Sequence, residues 1–298
     1  MRARTGALDM RNDTTLAQLG RYLIGVLNTG LAENINEVLW VDGTNGSDAN
    51  DGKAPDRAKK TISAAAALAA AYDTIAVFPA TYDEHVALAT DNVTLIGLGD
   101  TPRQTIIRDD ADSAVEQVAV TGSNVTISNV MIQNGHANNV EAVTIGACDY
   151  CTLDNCIFEK YASIDLDEAV RIMGPNTNIG HIIRDCFFNG HILGIVFEDS
   201  TTNAADVHII RCLFDNGTTA DITDSADVSV TGVLIQDCIF KHAAVTDFIV
   251  LDNASTEGLM VGCRFNEATF ATGTITIDAG LECVDCHTLA GENIAVPA

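Results

Sequence analysis

The chain has 298 residues, 47% of them apolar, with 41 acidic against 16 basic side chains for a net charge of −25. That apolar content supports a large core and excludes general disorder. So negative a surface repels nucleic acid and anionic membranes, which sets both aside as partners, and the sequence holds no apolar run of about 18 residues that could span a bilayer.

Residues 1–37 read as a segment of their own. Leu16, Leu19, Leu23 and Leu27 recur at helical spacing, with Asp13 or Thr14 as the cap. Such a helix must bury its stripe, either on the main body or in attachment and oligomerisation. The basic N-terminus has no apolar h-region, so no signal peptide is expected. The nine cysteines are an odd number in a long chain, which argues against a disulfide scaffold and for assembly in a reducing cytoplasm.

The stretch DGTNGSDANDG, 42–52, carries oxygens enough for Ca²⁺ but lacks the spacing of a calcium loop. Asx-turns are the stronger expectation. TISAAAALAAA predicts a helix over 61–71 that would plug the open end of a core, and Asp73–Pro79 predicts the first strand.

The middle of the chain is periodic. Cys-x-Phe recurs at Cys156/Phe158, Cys186/Phe188, Cys212/Phe214, Cys238/Phe240 and Cys263/Phe265, with weaker copies at Val130/Ile132, Cys286/Thr288 and Leu98. The residue just before each copy is Gly97, Asn129, Asn155, Asp185, Arg211, Asp237, Gly262 or Asp285. All but the arginine are types that tolerate a left-handed backbone. Two positions earlier stand Leu95, Ile127, Leu153, Ile183, Ile209, Ile235, Met260 and Cys283, all apolar. A further strand belongs to each repeat, for example at 141–145, 168–172, 194–197 and 220–223. Three short strands per repeat and no helix exclude a βαβ sheet. The expected fold is all-β, a right-handed single-stranded parallel β-helix of about eight coils between Val93 and Thr288. The domain limits are then 1–37, 38–288 and a tail at 289–298.

The run LWVDG (39–43), the loop to Gly52, Lys60-Thr61-Ile62 with the Ala-rich helix, DTIAVFPATYDE, and the later I-x-N/D-C-x-F rungs together resemble the pectin-lyase-like right-handed β-helix proteins. The resemblance covers about Val38 to Thr288. It implies the fold, and it leaves polysaccharide lyases, glycosidases, epimerases and phage tailspikes or other virion proteins all open.

The residues test each option. Two CxxC pairs, Cys148/Cys151 and Cys283/Cys286, have zinc-site spacing, but five coils of about 4.8 Å separate them. A column of buried thiols is expected instead. His181 is expected within an apolar column, with His208 one position off it. The lyase branch implies an arginine base beside calcium-binding carboxylates, and Arg171, preceded by Asp165, Asp167 and Glu168, is the candidate. Glu141 aligns with Glu168 in the preceding repeat, and the column then ends at Gly194. An ion pair on a solvated acidic face is the simpler reading of Arg171. Paired carboxylates for glycoside hydrolysis could be Glu198/Asp199 or Asp221/Asp224.

Aromatic residues are only 5%, with one Trp, and the turns after the Cys-x-Phe strands are short, so no walled sugar cleft is expected. The expectation is therefore a non-enzymatic virion protein of a bacteriophage, decorating a capsid or joining a tail, with no catalytic, metal or cofactor residues. It would form a homotrimer and bind other virion proteins through residues 1–37, with a cell-surface polysaccharide as a further candidate partner. The alternative is a polysaccharide lyase or glycoside hydrolase acting on acidic polysaccharide, with Ca²⁺ as the one cofactor its chemistry would call for.

Overall fold

The computed structural model describes residues 37–109, 115–134, 141–161, 165–173, 178–198, 204–225, 228, 230–241, 247–251, 257–266, 275–277 and 280–288. The helix expected around Leu16 to Leu27 and the tail at 289–298 lie outside these residues. No helix among the described residues is long and apolar enough to cross a membrane.

The chain winds through three parallel sheets, visited in the same order on each turn. The first sheet runs from Val38–Val41 and Thr74–Val77 to Glu257–Val261 and Leu281–Val284. The second has nine strands, from Ala80–Asp83 to His287–Thr288, and the third has eight, from Val86–Leu88 to Ile275–Ile277. All the pairings are parallel, as a right-handed β-helix requires. Stacking starts earlier than the Cys-x-Phe series suggests, because Val38–Val41 pairs with Thr74–Val77 one rung below Thr94–Gly97. The coil count therefore differs slightly from the expected eight.

The bend between first and second sheets is where local sequence dictates geometry. Asn129, Asn155, Asp185, Arg211, Asp237, Gly262 and Asp285 have φ between 51° and 68°, the left-handed region that turns the chain without a loop. Gly97 is the exception. Its backbone is not left-handed, and a Cβ there would lie 2.1 Å from the Asn129 carbonyl oxygen. It is a glycine because the next rung approaches it closely, and the Asn129 side-chain amide donates to the carbonyls of Gly97 and Gly99, both at 2.7 Å.

Inside the bend, three columns fill the prism. Leu95, Ile127, Leu153, Ile183, Ile209, Ile235 and Met260 form one, the thiols of Cys156, Cys186, Cys212, Cys238, Cys263 and Cys286 another, and the rings of Phe158, Phe188, Phe214, Phe240 and Phe265 a third; all are buried. The thiols are not orphaned. Each donates to a carbonyl one coil back, as Cys212 Sγ does to Ile183 O and Cys238 Sγ to Ile209 O, both at 3.5 Å.

The Ala-rich helix is shorter than expected, Ile62–Ala66 rather than 61–71. The Glu84 carboxylate accepts the amides of Ile62 and Ser63 at 2.7 and 2.8 Å and Thr61 caps Ala64, so its start is well fastened. Its end is not free to run on. Tyr72 takes φ 73° and Asp73 accepts the Ala70 amide, turning the chain into the Thr74–Val77 strand. Ile62 and Ala65 still reach the core.

The look-alike tetrads HIIR at 181–184 and 208–211 sit out of phase. Ile182 pairs with His208 and Arg184 with Ile210, which puts His181 level with Val207. Among the corners before the Cys-x-Phe strands, Arg211 puts a long side chain in the left-handed region (φ 51°), and its guanidinium donates to the Asp185 carboxylate at 2.7 and 2.6 Å. An exposed pair of this kind contributes little, whereas the backbone strain is borne by every molecule. Arg211→Gly is therefore expected to raise the midpoint of thermal unfolding, read by circular dichroism.

Candidate carboxylate site on the third sheet

The third-sheet strand Leu166–Ile172 interrupts strict alternation: Ala169 and Val170 are both fully buried in succession. This leaves Glu168 and Arg171 together on the outer side. Glu141 faces Glu168 directly on the neighbouring strand. The column does not pass to Gly194, as the sequence implied; Leu193 pairs with Glu168 instead. The third carboxylate comes from Glu198, just past the end of His191–Phe197.

These residues converge on one guanidinium. Arg171 Nε and Nη2 donate to the two Glu168 oxygens at 2.6 and 3.0 Å. Arg171 Nη1 pairs with Glu141, and Nε lies 2.9 Å from Glu198. Sequence reasoning placed Glu198 in a separate aspartate-type pair with Asp199; the structure joins it to the Arg171 group, and Asp199 lies outside the described residues. Burial pushes the Glu168 carboxyl above its usual range, against the pull of Arg171. Burial alone would weaken the Arg171 charge, but the three glutamates outweigh it and hold the guanidinium protonated well above its ordinary range. Arg171 is thus a firmly held cation and a poor candidate for a base.

Arg171→Met removes the cation from among three carboxylates. At pH 7 the loss is expected to reach about 3 kcal/mol, the cost of stranding buried charge. Glu168 has a raised pKa in the folded state, so its contribution is present at low pH and fades as pH rises through that pKa. The variant should therefore recover stability as pH is lowered from 7 toward 5, as urea unfolding would measure.

The other expected residues fall elsewhere. Asp221 is fully buried, with His191 Nε2 2.7 Å from its Oδ1, so Asp221/Asp224 is no solvent-reachable pair. His191 was not singled out from the sequence, because nothing in its spacing marks it. In the 42–52 loop, Asp42 accepts the Thr44 and Asn45 amides, both at 2.9 Å, and Asp48 accepts those of Lys60 and Thr61. The Asp42 contacts are an Asx-type turn, whereas Asp48 ties the loop to Lys60 and Thr61, 12 and 13 positions on. A concavity of about 350 Å³ beside the short helix, lined by Ser63, His85, Ala87 and Thr90 among others, has no carboxylate in its lining.

Comparison with solved structures finds carbohydrate-active enzymes of this shape. A pectin methylesterase from carrot matches with a TM-score of 0.56 at 14% identity, covering 88% of this chain and 86% of that one. The GH136 lacto-N-biosidase from Eubacterium ramulus matches at 0.64 and 11%, covering 93% of this chain and 59% of that one. A pectin methylesterase from Erwinia chrysanthemi matches at 0.56 and 11%, covering 89% and 92%. No protein-family model and no curated protein sequence matches. At such identities they establish the fold alone: this chain is a right-handed parallel β-helix.

Proposed function

We propose that the protein hydrolyses glycosidic bonds in an uncharged carbohydrate chain laid across the outer face of the third sheet. Glu168 is the proton donor, Glu141 the second carboxylate, and Arg171 positions both. The observation that supports this most is the split between carboxylates of one cluster: burial favours the protonated form of Glu168, while the same arginine holds Glu141 as a partner. Glycoside hydrolysis needs one carboxyl that keeps its proton to protonate the leaving oxygen and another that acts as anion.

Glu141 and Glu168 face each other across adjacent strands, whose backbones are about 4.8 Å apart. Both carboxyls meet the same guanidinium, which suits the close-set carboxyls of retaining enzymes better than the wider inverting pair. Products with retained anomeric configuration are therefore expected. The lyase alternative fits less well, because its base would be Arg171, whose proton three glutamates secure. A polyuronate is also disfavoured, since Glu141, Asp167, Glu168 and Glu198 outnumber the single arginine.

The test incubates the full chain with a panel of uncharged oligosaccharides and with polygalacturonate, and measures new reducing ends and unsaturated uronate. Reducing ends from an uncharged glycan, lost in Glu141→Gln, support the reading. Unsaturated product from polygalacturonate, or no cleavage of any uncharged glycan, overturns it.

A further inference from the structure

The CxxC pair Cys148/Cys151 is set apart from the other thiols by its surroundings. It lies in the turn between third-sheet strand Glu141–Ile145 and first-sheet strand Thr152–Asp154. The two Sγ atoms stand 3.4 Å apart, neither cysteine is in a disulfide, and they are 4% and 2% exposed. One coil on, His181 is fully buried. Its Nδ1 accepts the Cys151 amide at 3.1 Å, and its Nε2 has no hydrogen-bond partner. Cys148 and Cys151 Sγ also lie within donating distance of carbonyls one coil back, Val120 O at 3.7 Å and Gly122 O at 3.5 Å, as the column thiols do, so the direct contact between the two sulfurs is what marks the pair.

We propose that Cys148 and Cys151 form a redox site that closes to a disulfide in reaction with hydrogen peroxide. A sulfur pair at CxxC spacing and already in contact needs only a small side-chain adjustment to reach bonding distance. The hydrogen bond from Cys148 draws the Cys151 thiol below its ordinary range against the effect of burial, and His181 adds to it; Cys148 moves the opposite way. Cys151 is accordingly the nucleophile and Cys148 the resolving thiol.

The step balances without a further reagent. The Cys151 thiolate attacks one peroxide oxygen, the O–O bond breaks, and hydroxide leaves as water with the proton Cys151 had released, giving a sulfenic acid. Cys148 sulfur then attacks the sulfenic sulfur, its own proton leaves with the hydroxyl as a second water, and the S–S bond forms. Two thiols lose two electrons, and one peroxide gains them. Near-complete burial admits an oxidant of this size more readily than a peptide disulfide. The closed ring is too small to constrain the unfolded chain much, so the bond acts as a mark of oxidation rather than as a staple.

The full chain is exposed to peroxide at neutral pH, alkylated after unfolding, digested and weighed. The peptide containing 148–151 is expected to lose about 2 Da, to take up no alkyl group, and to regain both thiols with dithiothreitol. In Cys148→Ser, Cys151 should accumulate as a sulfenic acid captured by dimedone. The proposal is overturned if both thiols are alkylated in full after peroxide treatment, or if Cys151 in the wild type passes to sulfinic acid without the disulfide. Absence of a dimedone adduct in Cys148→Ser also overturns it.

Discussion

Glu168→Gln is expected to lower hydrolysis by about 10² to 10⁴-fold, the usual worth of a positioned general acid, while the protein stays folded. The substitution keeps volume and one acceptor for Arg171 but removes the transferable proton. Its effect on stability has the opposite sign from most active-site lesions of a buried polar residue. Burial raises the folded-state pKa of Glu168, so wherever the group is ionised the wild type carries the cost of a desolvated carboxylate beside two others. Gln is free of that cost. The unfolding midpoint of the variant at pH 7 should equal or exceed that of the wild type. The gap should narrow on acidification, because Glu168 contributes stability below its raised pKa and loses it as pH rises. Activity lost with stability kept is the signature of a proton donor; activity retained would remove Glu168 from the chemistry and leave it as a counter-ion of Arg171.

Much of the architecture was legible because each coil repeats the same three physical demands. An apolar residue, a left-handed corner and a small buried side chain followed by a ring recur at 25 to 30 residues from Cys156 to Cys263, and the backbone turns at those corners. What stayed hidden depends on neighbours in other coils. Gly97 looks like its counterparts, yet close approach of Asn129 decides it rather than φ. The Ala-rich segment has helix propensity throughout, and the need to turn at Tyr72 into the first sheet cuts it to five residues. The candidate site was half legible. Glu141 and Glu168 fall in register by repeat spacing alone, but Glu198 reaches Arg171 only because Leu193 rather than Gly194 faces Glu168. The His191–Asp221 pair is 30 residues apart in sequence, on adjacent rungs, and no motif announces it. The reading toward a virion role leaned on scarce aromatics and short turns, which describe what a cleft lacks; the acid cluster on the open sheet needs no cleft walls to be built.

Phe214→Ala is expected to cost about 3–5 kcal/mol, the range for deleting a buried ring. The ring is fully buried and stacks between Phe188 at 4.6 Å and Phe240 at 5.0 Å, with the edge of His191 at 6.3 Å. Collapse into the cavity is hindered, because the rungs above and below are held apart by the backbone ladder, including Leu213 N to Cys186 O and Ile239 N to Cys212 O, both 2.9 Å. The position along the column makes the claim specific. Phe265 stacks on Phe240 at 4.7 Å and meets Phe248 edge-on at 5.4 Å, and the following rung offers Thr288 in place of a ring. Phe265→Ala should therefore cost less than Phe214→Ala. In a solenoid each coil touches only its neighbours, so a weakened central coil also uncouples the two halves. Urea unfolding of Phe214→Ala should broaden toward two transitions, whereas Phe265→Ala should lose only its last coils. Equal costs at the two positions, with a single sharp transition in both, would mean that the stacked rings fill space without linking one coil to the next.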